Sequence, residues 1–201
     1  SSSGRRPAAP GARVRVTGLF GGAFDPPHNG HVELARAALH RFELDPFLVL
    51  VVAAPGHKPV ETDVEARLEL ARAAFADLPG ADVRREDHAF TIDSVRDGAY
   101  DDALFLVGAD EFADFLSWKE PREVLEHVRL AVATRPGFPR ERLEPVLAEL
   151  AGLQDRVEFF EISAIPVSST QIRNRVRNGQ PIDDLVPPAV AEAIDRLGLY
   201  R

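Results

Sequence analysis

The eleven residues Gly21-Gly22-Ala23-Phe24-Asp25-Pro26-Pro27-His28-Asn29-Gly30-His31 constrain this chain more than any other stretch. They join an apolar strand expected over residues 14–20 to an amphipathic helix expected over residues 32–42. The tandem Gly21-Gly22 strips side chains from the point where the strand turns, so a ligand can approach bare backbone there. Pro26 and Pro27 stiffen the loop. If the helix starts near Asn29, His28 and His31 both stand beside its positive end and its unpaired N–H groups, a site suited to anionic phosphate. A strand, a glycine turn and a helix N-terminus in this order form the phosphate-handling unit of doubly wound α/β folds.

A metal is the competing use for two histidines. A helical zinc pair prefers a spacing of four with an intervening glutamate, and the chain has no cysteine, so no protein metal ligand is assigned. The absence of cysteine also excludes disulfides and a thiol nucleophile. A formal charge of -8 argues against a nucleic-acid or membrane-surface binder. No apolar run reaches the roughly 18 residues of a membrane helix. Residues 1–12 are rich in Ser, Gly, Pro and Arg and lack an apolar signal-peptide segment; with no methionine anywhere, they are expected to be a disordered, processed or appended start. Without a targeting segment, the cytoplasm is the default expectation.

Beyond the first helix, residues 47–54 form a continuous apolar run of the kind expected for a parallel strand covered on both faces. Further strands are expected over residues 81–85, 104–107, 130–134 and 157–162. Helices are expected over residues 63–78 with Asp63 as cap, from 88 onward, at 112–118, 121–127, 139–150, from Ser168 through Arg177, and over 188–197. Alternating strands and helices imply a Rossmann-like α/β domain, a doubly wound parallel sheet with right-handed crossovers. Residues 13–201 read as one domain, in which residues from about 163 onward form a small helical C-terminal subdomain.

Ser168-Ser169-Thr170-Gln171-Ile172-Arg173 is a second anion-suited stretch. Hydroxyls ahead of a helix can cap it and donate to phosphate oxygens, and an arginine on the first turn adds a permanently charged fork. An ordinary capped helix with a solvated arginine is the plainer use of the same residues.

Together the two stretches resemble the GGxFDPxHxGH and ISSTxIR motifs of the nucleotidylyltransferase superfamily, with Val167 in place of the leading isoleucine. Nearly the whole chain is similar to the bacterial nicotinate-nucleotide adenylyltransferases. Pro55-Gly56-His57-Lys58 resembles their PPHK loop with one proline replaced by Gly56, and Phe90-Thr91-Ile92-Asp93-Ser94-Val95 resembles YTxDTL with Phe90 at the usual tyrosine. Gly108-Ala109-Asp110, Trp118-Lys119, Arg135-Pro136-Gly137 and Gly198-Leu199-Tyr200 complete the likeness.

The resemblance implies adenylyl transfer from ATP to nicotinate mononucleotide, giving deamido-NAD and pyrophosphate, with Mg²⁺ accompanying ATP. It implies that Gly21, Gly22 and Phe24 pass the nucleotide, that His28, His31 and Lys58 meet its phosphates, and that Ser169, Thr170 and Arg173 hold them from the other side. Thr91, Asp110, Trp118 and Lys119 are implied on the acceptor side, with Phe90 lacking a hydroxyl near the pyridine pocket. Neither a nucleic acid nor a membrane is an expected partner, and a homo-oligomer stays open. Nicotinamide mononucleotide or phosphopantetheine as acceptor, and nucleotide binding without turnover, are the alternatives.

Overall fold

The computed structural model describes residues 15–98 and 100–201. The expectations for residues 1–12 and for a strand start at Val14 lie outside these described residues. Six parallel strands, β1 (Val16–Gly22), β2 (Leu44–Val52), β3 (Ala81–Glu86), β4 (Leu104–Gly108), β5 (Arg129–Thr134) and β6 (Val157–Glu161), form one sheet in the order β3-β2-β1-β4-β5-β6. The expected doubly wound Rossmann-like fold is therefore present, and the order reverses between β1 and β4, where such sheets open a crevice at their carboxyl ends.

Residue alternation along the strands builds two cores, because neighbouring side chains point to opposite faces. Phe20, Phe47, Val49, Val51, Leu104 and Leu106 join one buried cluster, while Leu19, Leu48, Leu50, Phe105 and Val107 join the other. The first face is covered by α1 (Asn29–Phe42), α2 (Val64–Phe75), α7 (Ser169–Arg177) and α8 (Pro188–Leu197), through residues such as Ala35, Phe75, Ile172 and Val190. The second is covered by α3 (Thr91–Asp97), α4 (Ala109–Ala113), α5 (Pro121–His127) and α6 (Glu144–Glu149), through Ile92, Phe112, Leu125 and Val146. The C-terminal helices thus share the α1/α2 core.

Local chemistry sets most boundaries. Asp63 caps α2 by accepting the Ala66 N–H at 2.9 Å, and Gly198 closes α8 at φ 64°. The helix expected over residues 139–150 divides into a 3₁₀ turn at Arg140–Arg142 and α6, with Pro145 seated in the first turn of α6, where its missing N–H costs nothing. Helix α3 starts at Thr91 rather than residue 88, because the His88 N–H and ring are taken up by the Glu86 carboxylate. The expected element at 112–118 begins earlier, as α4 followed by a 3₁₀ turn at Phe115–Ser117.

Candidate active site at the strand-order reversal

The loop between β1 and α1 lies at the carboxyl end of β1, beside the reversal point. Its local fold follows from the histidine spacing. His28 is the N-cap of α1 and accepts the His31 N–H on Nδ1 at 3.3 Å, while His31 accepts the His28 N–H on its own Nδ1 at 3.1 Å. The two imidazoles stack with centroids 3.7 Å apart. Gly30 permits this arrangement: a Cβ there would lie 3.0 Å from the His28 ring and 3.3 Å from Val167.

The reciprocal caps decide the tautomers. A neutral imidazole that accepts on Nδ1 carries its proton on Nε2, so each ring keeps one N–H to donate elsewhere. Burial pushes the His28 pKa down to about 4. Burial also holds His31 well below the usual histidine range, with the His28 and Lys58 charges acting in the same direction. Both rings are neutral donors near pH 7 in the free protein.

Phe24 occupies the left-handed region at φ 49° and is buried, its ring 5.1 Å from His31 and 5.6 Å from Phe75. The Phe24 side chain packs edge-on against His31 and Phe75. A non-glycine residue held at positive φ within a ligand loop is a strained position that the surrounding packing must enforce.

The second motif meets the first directly. Ser168 caps α7 through the Gln171 N–H, Ser169 Oγ donates to the Pro26 carbonyl at 2.8 Å, and Arg173 Nη1 donates to the Asp25 carbonyl at 2.8 Å. Arg173 Nη2 also reaches Thr170 Oγ1 at 3.3 Å. Two stretches about 140 residues apart, 143 for the serine contact and 148 for the arginine contact, therefore form one site. Arg175 pairs with Asp184 and Arg177 with Glu61.

Lys58 is exposed on the loop after β2, yet its charge lies near enough to His31 and Glu111 to influence both. Glu111 presents surface to solvent, but its carboxylate folds back on the Gly108 N–H at 3.3 Å, where loss of water pushes its pKa up and Lys58 opposes the shift. Asp110 sits in the first turn of α4, drawn to Arg142 at 3.3 Å and to Arg135 at 4.0 Å. Thr91 opens α3, and Lys119 grips Asp93 of that helix at 2.8 and 3.0 Å. Trp118 is half-buried and packs edge-on against Phe115 and Phe105.

Four residues that the motifs did not single out for a role hold this site together. Arg67 on α2 is fully buried and donates to the carbonyls of Thr62, Ala23, Val52 and Ala53 at 2.7–2.9 Å. It links the ends of β1 and β2 to the loop beyond Lys58. Asp25 accepts the Glu61 N–H at 2.6 Å and the Tyr200 hydroxyl at 2.7 Å. Glu61 in turn accepts Arg173 Nε at 3.0 Å and pairs with Arg177. Tyr200 and Asp25 stood inside quoted patterns; Arg67 and Glu61 carried no local signal.

The family model described as Cytidylyltransferase-like matches residues 19–175. A curated nicotinate-nucleotide adenylyltransferase of Moorella thermoacetica is 37% identical over 92% of this chain and 91% of its own length. Another, of Thermus thermophilus, is 36% identical over 92% of this chain and 98% of its own. Among solved structures, a Plasmodium falciparum nicotinic acid mononucleotide adenylyltransferase complexed with NaAD superposes with a TM-score of 0.70 at 16% identity, over 92% of this chain and 97% of that one, a likeness of fold.

Proposed function

The chain belongs to the nicotinate-nucleotide adenylyltransferase family, and we propose that it joins ATP to nicotinate mononucleotide, releasing pyrophosphate and forming deamido-NAD. The observation that carries this reading is the pair of reciprocal histidine caps at the start of α1, with Ser169 and Arg173 bonded to the same loop.

In the proposed reaction a phosphate oxygen of the mononucleotide attacks the α-phosphorus of ATP in line. A new P–O bond forms as the bond to the β-phosphate breaks, and pyrophosphate takes the electron pair. The attacking oxygen is already anionic, so no general base is needed and catalysis consists of positioning and charge stabilisation. His28 and His31 donate through Nε2–H, Lys58 supplies a mobile point charge, and Ser169, Thr170 and Arg173 hold the phosphates from α7. Gly21 and Gly22 are assigned to the nucleotide, and a Cβ at either would crowd the Phe105 or the Phe24 ring at 3.1 Å. Thr91, Asp110, Trp118 and Lys119 are assigned to the acceptor.

Among the described residues no group of three or more His, Asp or Glu side chains is arranged for a metal. A Mg²⁺ accompanying ATP would be held chiefly by phosphate oxygens and water and would offset the charge on the leaving pyrophosphate. No helix among the described residues is long and apolar enough to cross a membrane.

Pyrophosphate release from ATP and Mg²⁺ tests the reading, with nicotinate mononucleotide, nicotinamide mononucleotide and phosphopantetheine as alternative acceptors. Preference for nicotinate mononucleotide is expected. Preference for the amide would overturn the acceptor assignment alone, and ATP binding without turnover on any acceptor would overturn the enzymatic reading.

A further inference from the structure

Gly56, which departs from the PPHK pattern, and Phe90, one of the positions that depart from YTxDTL, are in contact. A Cβ on Gly56 would lie 2.6 Å from both Cε1 and Cζ of Phe90 and 3.3 Å from Cε2. Real Cβ atoms do not approach a ring so closely, so the tip of the phenyl lies on bare backbone that only glycine leaves open. Gly56 is not in the left-handed region, so backbone conformation does not demand glycine here; an added Cβ would instead displace the tip of the Phe90 ring.

The same ring has a second partner. Lys119 Nζ lies 5.2 Å from the Phe90 centroid, within cation–π range, and is anchored by both oxygens of Asp93. Backbone bonds run beside the contact, from the Ala53 N–H to the Glu86 carbonyl at 2.8 Å and from the Gly56 N–H to the Ala89 carbonyl at 3.4 Å. Phe90 remains 39% exposed, so the ring is reached from the cleft side as well as from the loop backbone. The ring therefore touches the loop that carries Lys58, two residues beyond Gly56, and the segment that carries Lys119.

We propose that Phe90 and Gly56 form a clasp that positions the Lys58 loop against the Thr91–Lys119 side of the cleft, so that one ring-on-backbone contact sets the phosphate site and the acceptor site relative to each other. Phe90 is here a positioning residue. The proposal rests on the adenylyl-transfer reading for its kinetic consequence, but the contact itself also predicts coupling in ATP binding, which needs no turnover.

A double-mutant cycle with Gly56→Ala, Phe90→Ala and the double variant tests it, read in kcat, in KM for each substrate, in ATP affinity by titration, and in melting temperature. In the parent protein the added methyl must push the ring off the loop, and kcat/KM is expected to fall by about tenfold, with ATP affinity falling several-fold and the melting temperature little changed. With Phe90 already removed, the same methyl is expected to cost less than about twofold. An equal cost of Gly56→Ala in both backgrounds, or a loss of activity matched by a collapse in melting temperature, would overturn the clasp. Absence of turnover in the parent protein would instead fall on the adenylyl-transfer reading, while non-additive ATP affinities would still uphold the clasp.

Discussion

The Tyr200 hydroxyl donates to Asp25 Oδ1 at 2.7 Å, joining the penultimate residue of the chain to the ligand loop 175 positions earlier. Both groups are buried, and burial pushes the phenol pKa up, so the hydroxyl keeps its proton and serves as a fixed donor. Asp25 passes the constraint on: its other oxygen holds the Glu61 N–H and its carbonyl holds Arg173. Tyr200→Phe leaves a buried carboxylate oxygen without that donor and is expected to cost about 1–3 kcal/mol in urea unfolding. It should also raise KM for ATP, because the Arg173 anchor loosens. Unchanged unfolding and unchanged KM would contradict this link.

Arg67 is predicted to be more costly. Four carbonyls from three segments depend on one guanidinium, and a lysine ammonium has neither the reach nor the fork to replace it. Arg67→Met should destabilise by about 3–5 kcal/mol, and Arg67→Lys by a smaller but still measurable amount. Chemical denaturation of both variants checks the order. A Met variant as stable as the parent would show that the carbonyls find other donors.

Glu61 places a carboxylate beside Arg173 and Arg177, where an incoming triphosphate would compete with it. Asp25 and Thr170 still hold Arg173 when that charge is removed. Glu61→Gln is therefore expected to lower KM for ATP by about two- to fivefold and to steepen its salt dependence. Titration at two ionic strengths measures both, and a raised KM would mean that Glu61 orients Arg173 rather than competing for it.

The histidines give a pH prediction whose sign is fixed. An unfolded chain protonates His28 near pH 6.5, whereas the folded chain resists until about 4, so the unfolded state binds more protons in that window. Stability should be full above about pH 6.5 and should fall as pH drops toward 4, with His28 contributing roughly 3 kcal/mol to the change and His31 acting in the same direction. Between about pH 6 and 8, kcat/KM should show no inflection from either ring. Urea titrations across pH and a pH–rate profile measure the two parts. A bell centred near neutrality and assigned to His28 or His31 would contradict the neutral-donor account.

How much of this could be read from sequence depends on the range of each interaction. Strand-length apolar runs, the Asp63 and Ser168 caps and the start of α8 at Pro188 are local signals, and they placed the sheet and the helix ends. The place of His28 and His31 at the start of α1 was also legible, whereas their reciprocal caps and the crowding at Gly30 came only with the structure. Arg67 was not. Its partners lie 5, 14, 15 and 44 residues away, and its place in an amphipathic helix gives no hint that its charge faces inward onto carbonyls. The burial of Phe24 was not legible either, because its ring packs against Phe20 and His31 in its own segment and against Phe75 from α2.

The most direct test of the account is His31→Asn, assayed for pyrophosphate release alongside thermal unfolding. The asparagine carbonyl can still accept the His28 N–H, so the cap survives, but the Nε2–H donor is lost. His31→Asn is expected to lower kcat by about 10²–10³ with stability within roughly 1 kcal/mol of the parent. Full turnover in a well-folded His31→Asn protein would contradict it.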